Sequence, residues 1–319
     1  MRFNPKARLD TSRVRDGGGA GGGGMGGGGM RIPLPGGTKA GGGVGVLLII
    51  VVILLLRACG GIDLTGAVTG ATGGYDTSRF QGDSTVYQSC QTGQDANEHP
   101  DTCGLVAVEN SLVDYWQDTL AQQSTASFQP ESAIMTFTGG TPSGCGQASA
   151  AMGPFYCPND QTIYFDPSFF HDILQQQLNG PSGAFVEPYV IGHEFGHHIQ
   201  NLLGTMRKVK TQQGPNSDSV RLELQADCYA GMWTRSATQT EDSEGNVLIQ
   251  DLTDQDIQEA IAAAKAVGDD TIQRTTTGRV SPEQWTHGSS AARVQWFQTG
   301  YQNGTLEACN TFNGQPVEQ

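Results

Sequence analysis

Apolar residues recur with a helical period in two long stretches of the chain. Clear helical spacing covers Leu105 to Leu120, and a weaker pattern rich in alanine and charge covers Asp254 to Val267. Two short stretches, Ala133 to Phe137 and Thr162 to Phe165, are rich in residues that favour strands. Helix and sheet together predict an α+β domain.

The strand predicted at Thr162 to Phe165 has two interpretations. Turn residues precede it, and Pro167 follows it, which is typical of an edge strand. An open edge would bind an extended peptide through backbone hydrogen bonds. An ordinary core strand is the alternative.

Residues 1–97 differ from the rest of the chain in composition. Residues 1–43 are basic and then glycine-rich, with little to bury, and we expect a disordered tail. Residues 63–97 are rich in Gly, Thr, Ser, Asp and Gln and are predicted to be a linker. The main domain is then expected at 98–319.

Between the tail and the linker lies an unbroken apolar run, Val46 to Leu56. This run is near the lower limit for a membrane span, and a snorkelling Arg57 would extend it, so we predict one transmembrane helix at 44–62. A cleaved signal peptide and a lipid-modified Cys59 are the alternatives.

Charge is distributed unevenly about the apolar run. Residues 1–57 carry a net charge of about +6, within a total of −14 for the chain. The positive flank predicts a single-pass protein of the cell membrane, with its N-terminus in the cytoplasm and its domain outside. Because the acidic body repels phosphate backbones, we expect no nucleic-acid partner.

Seven cysteines occur, and none has the C-x-x-C spacing of a structural zinc site. Disulfides fit an extracytoplasmic domain. Proximity suggests two pairs, and elimination a third: Cys90 with Cys103, Cys145 with Cys157, and Cys228 with Cys309. Six cysteines allow fifteen connectivities, and buried free thiols are the alternative.

A third helix is predicted from Pro188 to Gly204, and it contains the motif His193-Glu194-Phe195-Gly196-His197. Histidines at i and i+4 project from one helix face, so both imidazoles can bind one Zn²⁺. Glu194 would serve as the general base. A buried helix with incidental histidines is the alternative.

The segment Val220 to Asp227 adds a carboxylate to this site. Its apolar pattern predicts a helix with Glu223 and Asp227 on one face. Glu223 would complete a His₂Glu zinc site, and Asp227 would accept the second ring N–H of a histidine ligand. A solvated acidic face is the alternative, but the surrounding apolar residues favour ligation.

These motifs resemble the neutral zinc metallopeptidases of bacterial membranes, which belong to the thermolysin-like glutamate zincins. The resemblance covers most of the chain. Its motifs occur in order: Ile62 to Gly66, Met152 to Pro158, His193 to His198, Glu223 to Cys228, and Thr286 to Ser289.

The resemblance implies a zincin-like domain with one zinc per chain. His193, His197 and Glu223 match the zinc ligands, Glu194 the general base, and Asp227 the partner of a ligand histidine. Such enzymes also place a late histidine or tyrosine at the developing oxyanion, and His287 is our candidate. A histidine that packs beside a helix is the alternative.

Arg293 has two interpretations: it holds an acidic residue near the site, or it lies on the surface. The remaining histidines do not share the face of the two zinc ligands, so we expect them to be structural or exposed: His99, His171 and His198.

We therefore expect a membrane-anchored zinc peptidase that hydrolyses peptide bonds of a protein or peptide by Glu-assisted zinc-hydroxide attack. A membrane-tethered binding or scaffold domain that keeps a metal site without turnover is the alternative. The sequence does not define a substrate.

Overall fold

The computed structural model describes residues 1–19 and 84–318. Helices and strands are mixed, as the predicted α+β class requires. Seven α-helices are numbered in chain order: α1 Gly93–Glu98, α2 Cys103–Gln123, α3 Val186–Leu202, α4 Asp218–Ser236, α5 Asp254–Ala266, α6 Asp269–Thr277 and α7 Ser290–Asn303. The helices expected at 105–120, 188–204, 220–227 and 254–267 are all present in this set.

Strands form one larger sheet and two strand pairs. The strands are β1 Arg2–Phe3, β2 Val14–Gly19, β3 Ala133–Thr138, β4 Gly140–Ser143, β5 Gly146–Ser149, β6 Phe155–Cys157, β7 Thr162–Phe165 and β8 Ile249–Asp251. The larger sheet has the order β2-β3-β7-β6, while β1 pairs with β8 and β4 with β5. Both predicted strands, at 133–137 and 162–165, are confirmed.

The prediction of an edge strand at Thr162–Phe165 is wrong. Strand β7 pairs in parallel with β3 on one side and antiparallel with β6 on the other, and all four of its residues are buried. Its backbone groups are therefore committed within the sheet, and no extended peptide can add to it.

The expectation of a disordered tail is wrong for residues 1–19. Strand β2 pairs in parallel with β3, and Val14, Ala7 and Phe3 are buried in the core. The composition of 1–43 is dominated by its glycines, which concealed these few apolar residues. Residues 20–43 and the predicted membrane helix at 44–62 lie outside the described residues.

The expectation of a linker at 63–97 is wrong for residues 84–97, the part of this range that the structure describes. Residues 84–97 include a 3-10 turn and α1, and they bury Tyr87, Cys90 and Ala96. This stretch contacts the N-terminal segment through a bridge between Arg8 and Thr92. The folded body therefore includes residues 84–97, while 63–83 lie outside the described part.

Within residues 1–19 and 84–318, none of the helices combines the length and apolar character that a membrane span requires. The three expected disulfides, Cys90–Cys103, Cys145–Cys157 and Cys228–Cys309, are all formed. They join α2 to the segment before it, the β4–β5 turn to β6, and α4 to the C-terminal segment.

A buried acidic pair holds the N-terminal segment in place. Glu109 accepts a hydrogen bond of 2.6 Å from Arg13 Nε. The backbone carbonyl oxygen of Arg13 accepts a second bond, of 2.7 Å, from the N–H of Ile134. Glu131 is 1 % exposed and interacts with Glu109. Burial and the Glu109 carboxylate raise the pKa of Glu131 well above the usual 4.5. Arg13 is therefore the cation that pairs with Glu109, and the neighbouring Glu131 holds its proton more tightly than an exposed glutamate.

The raised pKa of Glu131 predicts a pH-dependent stability. Above about pH 4.5 the folded chain keeps a proton that the unfolded chain releases, so the free energy of unfolding falls by up to about 1.4 kcal/mol per pH unit until the folded-state pKa is passed. Glu131→Gln removes this titration. Urea unfolding between pH 4.5 and 8 should show Glu131→Gln gaining stability over the wild type as pH rises.

Glu283→Gln, at an exposed glutamate, serves as the control and should follow the wild-type curve. Parallel pH profiles for the wild type and Glu131→Gln would contradict the assignment.

Candidate metal centre

Helix α3 presents His193 and His197 side by side on its buried face. The two residues are separated by one helical turn, and their ring centroids are 4.8 Å apart. Both side chains are buried, and Pro188 in the first turn and Gly204 after the last define the helix as predicted.

Helix α4 crosses α3 closely enough to bring Glu223 to these histidines. A Cβ at Gly196 would lie 3.1 Å from the carbonyl oxygen of Ala226, so the absence of a side chain at 196 permits the close crossing. Glu223 Oε2 lies 3.2 Å from His193 Nε2, and Glu223 Oε1 lies 3.6 Å from His197 Nε2. Three predicted ligands from two helices therefore meet.

The other ring nitrogen of each histidine has its own partner. His193 Nδ1 lies 2.8 Å from Asp227 Oδ1, so Asp227 lies where the partner of this histidine was predicted. His197 Nδ1 lies 2.8 Å from Gln200 Oε1. Because an acceptor at Nδ1 holds a proton there, Nε2 is in each ring the nitrogen that faces Glu223 and is left to bind a cation.

This donor set fits zinc. Two imidazoles and one carboxylate make up a common catalytic zinc site, and tetrahedral bonds of about 2.0–2.1 Å separate the donor atoms by about 3.4 Å. The three donor atoms here lie within 4.8 Å of one another, and the two oxygens of Glu223 each face one histidine Nε2, at 3.2 and 3.6 Å. His193, His197 and Glu223 would therefore hold the ion.

Asp227 is the most heavily bonded group of the site. It is 0 % exposed and accepts from Tyr189 Oη at 2.6 Å and from Arg293 Nε at 2.9 Å and Nη2 at 3.0 Å, in addition to His193. Burial alone would raise the pKa of Asp227, but Arg293 and His193 lower it. Of the two interpretations of Arg293, the structure supports the first, in which it holds an acidic residue near the site.

Asp227 also controls the charge of His193. Burial alone would lower the pKa of His193, but the Asp227 carboxylate raises it to about 10. Without a metal, His193 therefore carries a proton at neutral pH, and this proton must leave when a cation binds Nε2.

Arg293 reaches Asp227 because α7 lies almost directly on α4. A Cβ at Gly300 would collide with the carbonyl group of Cys228, and one at Gly231 with that of Phe297. These two glycines allow the helix backbones to touch. The Cys228–Cys309 disulfide holds the same side of α4 to the C-terminal segment.

His287 lies in a loop before α7 that Asp269 organises. Asp269 Oδ2 accepts the consecutive backbone N–H groups of Thr286, His287 and Gly288 at 2.7, 2.7 and 3.0 Å. Asp269 Oδ1 lies 3.4 Å from His287 Nδ1. His287 Nε2 has no hydrogen-bond partner in the described chain.

His287 is also coupled electrostatically to the centre. Burial alone would lower the pKa of His287, but the carboxylates of Glu223 and Asp269 raise it. Its imidazole therefore holds a proton more readily than burial alone would allow, and it can act as a hydrogen-bond donor.

Glu194 is buried on α3 beside the ligand His193, and within the described chain its carboxylate makes no hydrogen bond or ion pair. A side chain with this freedom can exchange a proton with a bound molecule.

The remaining histidines lie outside the three-residue cluster, as expected. His198 is buried between Tyr156 Oη at 3.1 Å and the carbonyl oxygen of Gln129 at 2.8 Å, and burial lowers its pKa to about 4. His99 and His171 are exposed.

Three residues of the centre were not identified from the sequence: Tyr189, Gln200 and Asp269. Tyr189 lies four residues before His193, and Gln200 lies three residues after His197. Helical spacing was therefore a signal that could have identified both as neighbours of the two histidines. Asp269 gave no such signal, because it begins α6 and meets His287 only through the folding of a separate loop.

Comparisons with known proteins agree with this geometry. The family described as "Putative neutral zinc metallopeptidase" matches residues 1–312, and the chain belongs to this family. The uncharacterized protein Rv2575 of Mycobacterium tuberculosis (strain ATCC 25618 / H37Rv) is 48% identical over 226 residues, which cover 70% of this chain and 74% of the relative.

The uncharacterized protein YpfJ of Escherichia coli (strain K12) is 38% identical over 258 residues, covering 79% of this chain and 81% of that protein. No solved structure matches the chain at a significant level.

Proposed function

We propose that this protein is a zinc-dependent peptidase of the thermolysin-like, zincin type. The observation that carries the proposal is the meeting of donor atoms from His193, His197 and Glu223 within 4.8 Å of one another, with the unpaired carboxylate of Glu194 one residue after His193. Membership of the zinc metallopeptidase family supports the same class of activity.

Each group has a distinct task in peptide hydrolysis. A bound zinc ion would supply a Lewis acid that polarises the scissile carbonyl and increases the acidity of water. Glu194 would take the proton from the attacking water and pass it to the leaving amine. Asp227, held by Arg293 and Tyr189, would keep the His193 ring directed at the ion.

His287 would stabilise the oxyanion of the tetrahedral intermediate. Asp269 fixes its backbone, its Nδ1 faces Thr286 at 2.8 Å, and its other ring nitrogen remains available to the substrate. Donors of this kind contribute about 2.7–4 kcal/mol to the lowering of the barrier.

A scaffold domain that keeps zinc without turnover remains the second candidate. It would need the three ligands and Asp227, but it would have no use for Glu194. Because the Glu194 carboxylate has no hydrogen-bond or ion-pair partner in the described chain, a structural role does not account for it, and its presence beside the ligands favours an enzyme.

Glu194→Gln separates the two candidates. The variant keeps all three ligands, so zinc content measured by elemental analysis should equal that of the wild type. Loss of the general base should lower cleavage of a fluorogenic casein substrate by at least about 100-fold. His287→Phe should also keep zinc and lose activity.

Glu283→Gln is a matched control that should leave both quantities unchanged. Wild-type cleavage by Glu194→Gln would disprove the assignment of the base, and zinc binding with no cleavage by any form would favour the scaffold.

We also propose that the domain lies outside the cytoplasm, and that residues 1–19 lie there with it. The three disulfides support an oxidising compartment. Strand β2 pairs with β3 and Arg13 pairs with Glu109, so the N-terminal segment and the body need to share a compartment. A single membrane crossing between them would prevent these contacts within one molecule. A membrane-spanning helix at 44–62 would separate the two parts, so we propose neither a cytoplasmic N-terminus nor a single crossing at 44–62.

Cysteine labelling in intact cells tests this arrangement. In a Cys59→Ser background, Lys6→Cys and Lys210→Cys place single thiols on exposed positions of the two parts. A membrane-impermeant maleimide should label both to the same extent before lysis.

Labelling of Lys210→Cys alone would contradict the shared compartment. Labelling of neither until lysis would place both parts in the cytoplasm, against the disulfides.

A further inference from the structure

The second zinc ligand, His197, is held in a different way from the first. The Nδ1 atom of His193 faces a carboxylate that Arg293 neutralises, whereas the Nδ1 atom of His197 faces the neutral amide of Gln200. Gln200 is 0 % exposed, and it lies one turn after His197 on the same face of α3.

The amide of Gln200 can have only one orientation. Its Nε2 lies 2.7 Å from the carbonyl oxygen of Leu222 and 3.2 Å from Gln225 Oε1. A backbone carbonyl only accepts hydrogen bonds, so the atom that faces Leu222 must be the NH₂ group. The oxygen of Gln200 must then face His197.

Gln225 is fixed by the same reasoning. Its Nε2 donates to the carbonyl oxygen of Cys309 at 2.9 Å, which directs its oxygen to Gln200. Gln225 is buried on α4, and Cys309 is bonded to Cys228 on that helix. Two backbone carbonyls therefore determine the orientation of both amides.

This chain of hydrogen bonds determines the state of His197. Because an amide oxygen only accepts, the nitrogen 2.8 Å from it, His197 Nδ1, must carry the proton. The lone pair is then on Nε2, the atom that faces Glu223.

We propose that Gln200 and Gln225 are positioning residues that set the tautomer of His197 for metal binding. The inference rests on the proposed function insofar as His197 is a ligand.

The test measures zinc affinity of the full-length protein by competition with a chromogenic chelator. Gln200→Leu removes the acceptor and should weaken zinc binding about 10–100-fold. Gln225→Leu leaves the direct bond to His197 and should weaken binding less. Gln123→Leu is the matched control, because this glutamine also bridges two backbone groups, of Gly304 and Leu306, but has no contact with the centre.

A second measurement reads the tautomer directly. Long-range ¹H–¹⁵N spectra of protein labelled at histidine should show a protonated Nδ1 for His197 in the wild type, and loss of that preference in Gln200→Leu. If Gln200→Leu does not fold, the wild-type spectrum and the affinity of Gln225→Leu decide. Zinc affinity of Gln200→Leu within twofold of the wild type, or a wild-type proton on Nε2, would overturn the proposal.

Neither measurement requires a substrate, so failure of the two proposals can be distinguished. A wild type that binds zinc with the expected tautomer but cleaves no peptide would disprove the peptidase and leave the positioning role intact. A wild type that binds no zinc would disprove the peptidase, and the tautomer of the metal-free protein would then decide the present proposal.

Discussion

The site depends on one buried carboxylate, Asp227, which joins three helices. It accepts hydrogen bonds from Tyr189 and His193 on α3 and from Arg293 on α7, while its own backbone belongs to α4. Removal of either partner of the buried ion pair between Asp227 and Arg293 would cost about 3–5 kcal/mol, because an uncompensated charge would stay buried. The helices that supply the ligands and the helix that supplies the counter-charge are therefore fixed relative to one another by a single group.

Two further constraints keep that group in place. Close backbone contact between α4 and α7 depends on Gly231 and Gly300, and the Cys228–Cys309 disulfide holds α4 to the C-terminal segment. Elsewhere in the body, Arg13 pairs with the buried Glu109 of α2, and its carbonyl oxygen accepts from the N–H of Ile134 in β3, so the N-terminal segment is joined to both. The first 19 residues are thus part of the domain that carries the site, and the position of the N-terminus follows that of the domain.

The local parts of this structure were predictable from the sequence, and the non-local parts were not. Helical spacing placed the two histidines together, and the next apolar helix supplied Glu223, so the ligand set followed from periods of three to four residues. Asp269 and the interior position of β7 depend on contacts between distant segments, which no local pattern records. Composition misled for residues 1–19, because a glycine-rich neighbour obscured a strand whose partner, β3, is more than a hundred residues away.

The most direct test of the account is X-ray absorption at the zinc edge of the purified full-length protein. The account predicts one zinc per chain, with a nitrogen and oxygen shell at about 2.0–2.2 Å and the multiple scattering of two imidazoles. This signature should lose one imidazole in His197→Ala. A sulfur shell at about 2.3 Å, or a spectrum that His197→Ala leaves unchanged, would contradict the centre built from α3 and α4.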